Sequence, residues 1–219
     1  MTRDEEVAAR TAEVRGRIAE SARRAGRAPQ TVTLVAVTKT KPVEDLLAAW
    51  RAGVRHFGEN RIQEAEAKFP SLPSGGVRHV IGPVQSNKAA RAARIADVVQ
   101  TVDSADLARR LDRAAAGKRL AVFIEVLLGE EPTKAGVAPA DLPRLVEEIR
   151  ALPNLDLRGL MAIPPPGETR SHFQTLRRLA EAESLTELSM GMSDDFEAAI
   201  EEGATLVRVG SALFGARRP

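Results

Sequence analysis

A lysine closes the apolar run LVAVTK at 34–39, and it offers more chemistry than any other residue of this sequence. At the end of a buried strand, desolvation disfavours the ammonium form. A neutral amine is a nucleophile toward aldehydes, whereas arginine stays protonated and is not. The same position suits a lysine whose stem is buried and whose head reaches the rim, and position alone leaves these two readings level. Farther along, GMSDDFEAAI sets a glycine-containing loop before a helix start, and VRVGSALFG ends a strand in a glycine with a hydroxyl beside it. Ser193, Gly210 and Ser211 together read as an anion cradle of backbone N–H groups and hydroxyls. The plainer reading makes Ser193 an N-cap and Gly210 a turn. Arg208 lies within TLVRV, so an inward-pointing guanidinium needs an acceptor, either a ring nitrogen, a carboxylate or a core acid. His56 and His79 fall in or beside strands with no second histidine at ligand spacing, so no metal site is expected. His172, near a helix start, reads as a surface residue. Adjacent Asp194 and Asp195 point in different directions and suit a helix N-terminus better than an acid/base pair.

The elements that must position these residues are legible from period. Apolar runs suited to strands occur at 32–38, 54–57, 78–81, 98–101, 120–126, 156–161, 187–189 and 205–209. Stretches of helical spacing follow near 43–52, 60–68, 86–95, 104–116, 140–152, 170–183 and 194–202, and an extra helix near 4–25 precedes the first strand. Asp103 or Ser104 can cap the fourth of these, and Ser193 with Asp194 the last. Gly53, Gly117 and Gly203 stand where helices should stop. PPP at 164–166 breaks the chain after the sixth strand. Eight strand–helix units without a linker predict a single (β/α)₈ barrel domain over 1–219, with 1–26 packing on it as an N-terminal helix. An open doubly wound sheet is the alternative. In a barrel, chemistry belongs at the C-terminal strand ends, and Lys39, Asn60, Met161, Ser193, Arg208, Gly210 and Ser211 all fall at or near such ends.

Composition narrows the function. Of the 219 residues 43% are hydrophobic and 28% charged, with 32 basic against 30 acidic residues, which describes a soluble globular chain. The basic residues are interspersed with acids and lack aromatic interleaving, so nucleic acid is not expected as a primary partner. The absence of cysteine excludes disulfides and thiolate chemistry, and the absence of tyrosine excludes a phenol base. No apolar run has the length of a membrane span and the N-terminus is charged, so a cytoplasmic location is expected.

Seven blocks in order carry a resemblance over nearly the whole chain: VAVTKTKP at 35–42, FGENRIQE at 57–64, HVIGPVQSNK at 79–88, KAG at 134–136, RGLMAIPPP at 158–166, LSMGMSDDFEAAI at 188–200 and VRVGSALFG at 207–215. The sequence resembles the pyridoxal 5′-phosphate homeostasis protein family, related to the N-terminal barrel domain of alanine racemase. The resemblance implies a barrel that binds pyridoxal 5′-phosphate (PLP) as an internal aldimine on Lys39. Arg208 would face the pyridine nitrogen, and Ser193, Gly210 and Ser211 would hold the phosphate. Asn60, His79 and Met161 would line the ring. A cation at the pyridine nitrogen discourages ring protonation and weakens the cofactor as an electron sink. Two positions depart from the family pattern: Arg61, where many relatives have Tyr, and Leu127, where Asn is common. The resembled racemase takes its second base from a tyrosine of an additional domain, and this sequence lacks both. The implied function is a monomeric carrier of PLP, without efficient catalysis, acting in vitamin B6 and amino-acid homeostasis and supplying apo PLP-dependent enzymes. The alternatives are a small PLP-dependent racemase and a phosphate-binding module without an aldimine.

Overall fold

A computed structural model of the chain describes residues 1–129, 135–165, 167 and 169–215. Lys134 of the KAG block, Pro166 of PPP and the tail 216–219 lie outside the described residues. The strands are β1 (Thr33–Val37), β2 (His56–Glu59), β3 (Val77–Val80), β4 (Val98–Val102), β5 (Leu120–Glu125), β6 (Leu155–Met161), β7 (Glu187–Ser189) and β8 (Leu206–Val209). They pair in parallel in chain order, and β1 closes on β8, which gives the expected barrel in place of an open sheet. The helices are α1 (Arg3–Arg24), α2 (Val43–Arg51), α3 (Ile62–Lys68), α4 (Ala89–Ile95), α5 (Ala105–Ala114), α6 (Leu142–Arg150), α7 (Thr169–Ala182), α8 (Phe196–Glu201) and α9 (Ser211–Phe214).

Alternation along the strands divides the core in two. Outward-facing residues such as Ala36, Val80, Ile124 and Val207 pack with the helices into one large cluster, while Val35, Val98, Phe123, Met161 and Leu206 form a smaller cluster inside the barrel. Helix α1 is started by a capping box between Thr2 and Glu5 and packs against α2, α8 and α9. Arg3 fixes it there with paired bonds of 2.8 and 2.7 Å to Asp45. Only a glycine at 159 lets β6 approach β7, because a Cβ there would lie 1.8 Å from the Glu187 carbonyl oxygen.

Two local departures bear on the site. Strand β2 begins at His56 and not at 54, because the Val54 N–H donates to the Ala49 carbonyl and finishes α2. The strand therefore runs on through Glu59 and brings Asn60 to its mouth. Ser104 caps α5 as expected, accepting from the Leu107 N–H at 3.4 Å. Ser193 does not cap α8. That helix starts only at Phe196, the Asp195 carboxylate accepts from the Met192 N–H at 2.6 Å, and Ser193 turns toward β8.

Candidate functional site

A cavity of about 300 Å³ opens at the C-terminal mouth of the barrel. Lys39, Asn60, Ser193, Arg208, Gly210 and Ser211 line it together with Val37, Thr40, Lys41, Ile81, Ile163, Met192 and Asp194. Six of the residues picked out from the sequence thus line one cavity. His79 and Met161 do not line it; both are buried inside the barrel, Met161 in the inner apolar cluster and His79 hydrogen-bonded to Gln100 and His56. Arg61 is exposed at the start of α3, and Leu127 donates its N–H to Val137, so neither departing position reaches the cavity lining.

Lys39 occupies a turn just past β1, half-buried. The next residue, Thr40, has φ +62°, a conformation a β-branched residue adopts only under constraint. The constraint is ionic. The Thr40 N–H donates to Glu64 Oε2 at 2.8 Å, and Lys68 Nζ donates to Glu64 at 3.0 Å, to Glu59 Oε1 at 2.9 Å and to the Thr38 carbonyl at 2.7 Å. The Thr38 hydroxyl donates to the same Glu59 oxygen at 2.6 Å. Burial pushes the Glu59 carboxyl up, with Thr38 and Lys68 pulling the other way. Burial also opposes ionisation of Glu64, but the Thr40 N–H and Lys68 outweigh it and hold that carboxyl below its usual range.

Opposite stands Arg208, almost fully buried in β8. Nη1 donates to Ser189 Oγ at 2.7 Å and Nη2 to the Ala162 carbonyl at 2.9 Å. Among the described residues it hydrogen-bonds to a hydroxyl and a carbonyl and to no carboxylate. Desolvation lowers its pKa to about 10, with Glu125 and Asp195 acting against the shift. Glu125, at the end of β5, is pushed up to about 7 by burial, which Arg208 opposes and Asp103 reinforces. Its Oε2 is buried without a partner among the described residues. Asn60 Oδ1 is likewise buried and unpartnered among them, and Gly82 packs so tightly on Asn60 that a Cβ would lie 2.2 Å from the Asn60 carbonyl oxygen. Ser193 Oγ accepts from the N–H groups of Gly210 and Ala212, both at 3.3 Å, and ties the loop after β7 to the turn after β8.

The arrangement offers an amine, a buried cation, an orphan amide oxygen and a small-residue cradle around one cavity. Among the described residues no three His, Asp or Glu side chains gather as for a metal ion. Among the described residues no helix is long and apolar enough to cross a membrane. The model of the family described as "Alanine racemase, N-terminal domain" matches residues 12–218. The pyridoxal phosphate homeostasis protein of Pseudomonas aeruginosa is 48% identical over 96% of both chains, and that of Escherichia coli K12 is 42% identical over 97% of both. The chain belongs to the pyridoxal phosphate homeostasis protein family. Among solved structures, PipY of Synechococcus elongatus PCC7942 with PLP bound superposes on this family member with a TM-score of 0.84 at 40% identity, over 95% of this chain and all of that one. Alanine racemase from Corynebacterium glutamicum, at 17% identity and a TM-score of 0.71 over 98% of this chain and 61% of its own, shares the fold.

Sequence reasoning passed over Lys68, Gln100, Ser189 and the constraint at Thr40. A polar residue in the inward register of an apolar strand, as in VVQTV or ELS, was the available signal for Gln100 and Ser189. Nothing in the helical pattern of α3 marked Lys68 as buried.

Proposed function

We propose that this chain binds pyridoxal 5′-phosphate at the barrel mouth as a cytoplasmic, monomeric carrier. In this reading it serves PLP homeostasis by holding the cofactor and releasing it to apo PLP-dependent enzymes. The observation that carries the reading is the convergence of Lys39, Arg208 and the Ser193–Gly210–Ser211 cradle on one cavity. The residues present fit the group. An orphan acceptor, Asn60 Oδ1, waits for a donor, and the cradle is made of small residues that admit a phosphate close to backbone N–H groups. The amine of Lys39 is the group we assign to Schiff-base formation with the PLP aldehyde, which is the electrophile the cofactor supplies. Arg208 presents a fixed positive charge to the ring, Asn60 orients its edge, and His79 and Met161 support the floor beneath it.

The carrier reading is supported by the make-up of the lining. Its titratable groups among the described residues are Lys39, Lys41, Asp194 and Arg208, with neither a phenol nor an imidazole to oppose Lys39. The test uses the purified protein. A visible absorption band that borohydride abolishes, with the adduct mapped to Lys39 by mass spectrometry and absent in Lys39→Ala, is expected. An adduct elsewhere, or none, overturns the assignment. The same protein incubated with L-amino acids in deuterated buffer should not exchange and racemise Cα at rates of about 1 s⁻¹ or faster, and such turnover would establish the racemase alternative.

A further inference from the structure

Five polar side chains run through the barrel in an unbroken series of hydrogen bonds. Arg208 Nη1 donates to Ser189 Oγ at 2.7 Å, and Ser189 Oγ donates to Gln100 Oε1 at 2.7 Å. Gln100 Nε2 lies 3.0 Å from His79 Nδ1, and His79 Nε2 lies 2.9 Å from His56 Nδ1. Ser189, Gln100 and His79 are fully buried, so none of them has water as a substitute partner. His56, at the start of β2, opens into a cleft lined by Thr33, Gly53 and Arg55, away from the cavity that Arg208 lines. The series therefore crosses the barrel from its N-terminal floor to the mouth.

Chemistry sets the direction of donation. A guanidinium only donates, so Arg208 occupies a lone pair of Ser189 and leaves the hydroxyl proton in need of an acceptor. Gln100 offers the acceptor that Ser189 uses among the described residues. Turning the amide around would aim its NH₂ at Ser189 and strand that proton in a dry interior, which costs the full desolvation penalty of an unmade bond. With Oε1 committed to Ser189, Nε2 faces His79, whose Nδ1 must accept and whose proton must sit on Nε2. That proton is donated to His56 Nδ1, which places the proton of His56 on its own Nε2. Burial lowers the pKa of both rings, His79's to about 3, in keeping with two neutral imidazoles.

We propose that His56, His79, Gln100 and Ser189 are positioning residues, a one-way hydrogen-bonded series that locks Arg208 so that its charge meets the ligand in a single orientation. The second anchor is the bond from Nη2 to the Ala162 carbonyl, which with Ser189 leaves the guanidinium no freedom to swing. The inference rests on the PLP reading only for the identity of the ligand; the proton positions belong to the protein alone.

Nitrogen NMR of the ligand-free protein at neutral pH tests the direction, with His172→Gln used to assign the remaining ring. Both His79 and His56 are expected as the Nε2–H tautomer, and an Nδ1–H tautomer at His79 overturns the proposal. Slowly exchanging Arg208 Nη–H signals are expected in the parent protein and should broaden in Ser189→Ala and in the near-isosteric Gln100→Met. Sharp signals in folded samples of both variants would refute the lock. With PLP, both variants should bind about tenfold more weakly, the loss of one hydrogen bond to a charged group. Unchanged affinity in both removes the positioning role. Failure of the parent protein to bind PLP counts against the carrier reading and leaves the tautomer and Arg208 measurements to decide this one.

Discussion

Lys39 and Arg208 wall the same cavity and are held by opposite means. Arg208 is fixed through its own guanidinium, by a hydroxyl and a carbonyl in the middle of a strand layer. Lys39 is positioned through its backbone: the turn around it is pinned by Thr38 and Thr40 to the Glu59–Lys68–Glu64 group. The difference suits the roles proposed for the two side chains. A cation that only presents charge gains from immobility, because preorganised charge costs no rearrangement when the ligand arrives. In the proposed carrier the Lys39 amine forms and breaks a bond and so has to move, and bonds at the flanking Thr38 and Thr40 hold the backbone around it.

The largest effect that would break this contrast comes from Lys68→Met. Glu59 is fully buried, and Lys68 supplies both its counter-ion and a bond to the Thr38 carbonyl. Removing one member of a buried pair strands the other, at a cost of about 3–5 kcal/mol. Urea unfolding should show that loss, and PLP adduct formation at Lys39 should fall even where the variant is folded. A loss below about 1 kcal/mol would mean that the ionic group does not hold the turn.

The Arg208 side is sharpened by Glu125→Gln. A carboxyl whose folded pKa is raised to about 7 binds its proton more tightly folded than unfolded. Its contribution is therefore fully present below the unfolded value and is lost as pH rises through about 7. Relative to the parent, Glu125→Gln should gain stability between pH 4.5 and pH 8, by up to about 3 kcal/mol. Stability curves that stay parallel across that range would show that Arg208 already neutralises the carboxylate and that burial does not control its proton.

Much of this was legible in the sequence, for identifiable reasons. Alternation in VTLVAVT or LAVFIEV and helical spacing between the strands define βα units, and a barrel then dictates where Lys39, Asn60, Ser193, Arg208, Gly210 and Ser211 must meet. What stayed hidden depends on partners far apart in the chain. Ser189 and Gln100 are 89 residues apart, and nothing local states that they share a bond. Ser193 before an acidic pair reads equally as an N-cap, and only the approach of β8 offers it the Gly210 and Ala212 N–H groups instead. His79, expected beside the ligand, has an inward register that places it a layer lower, within the hydrogen-bonded series.

The smallest predicted effect is the most discriminating, because it separates stability from positioning at the Lys39 turn. A non-glycine residue in the left-handed region costs about 1–2 kcal/mol, and a β-branched one such as Thr40 belongs at the upper end. Thr40→Gly removes that strain and keeps the N–H that Glu64 accepts. It also enlarges the unfolded ensemble, which takes back about 0.4–1 kcal/mol. The net expectation is a gain of about 1–1.5 kcal/mol, read as a small rise in Tm, together with slower adduct formation because the turn no longer confines Lys39. A stabilised variant with an unchanged adduct rate would show that the strain at Thr40 serves only the fold. Destabilisation would show that the exposed Thr40 side chain makes an attraction larger than the strain it bears.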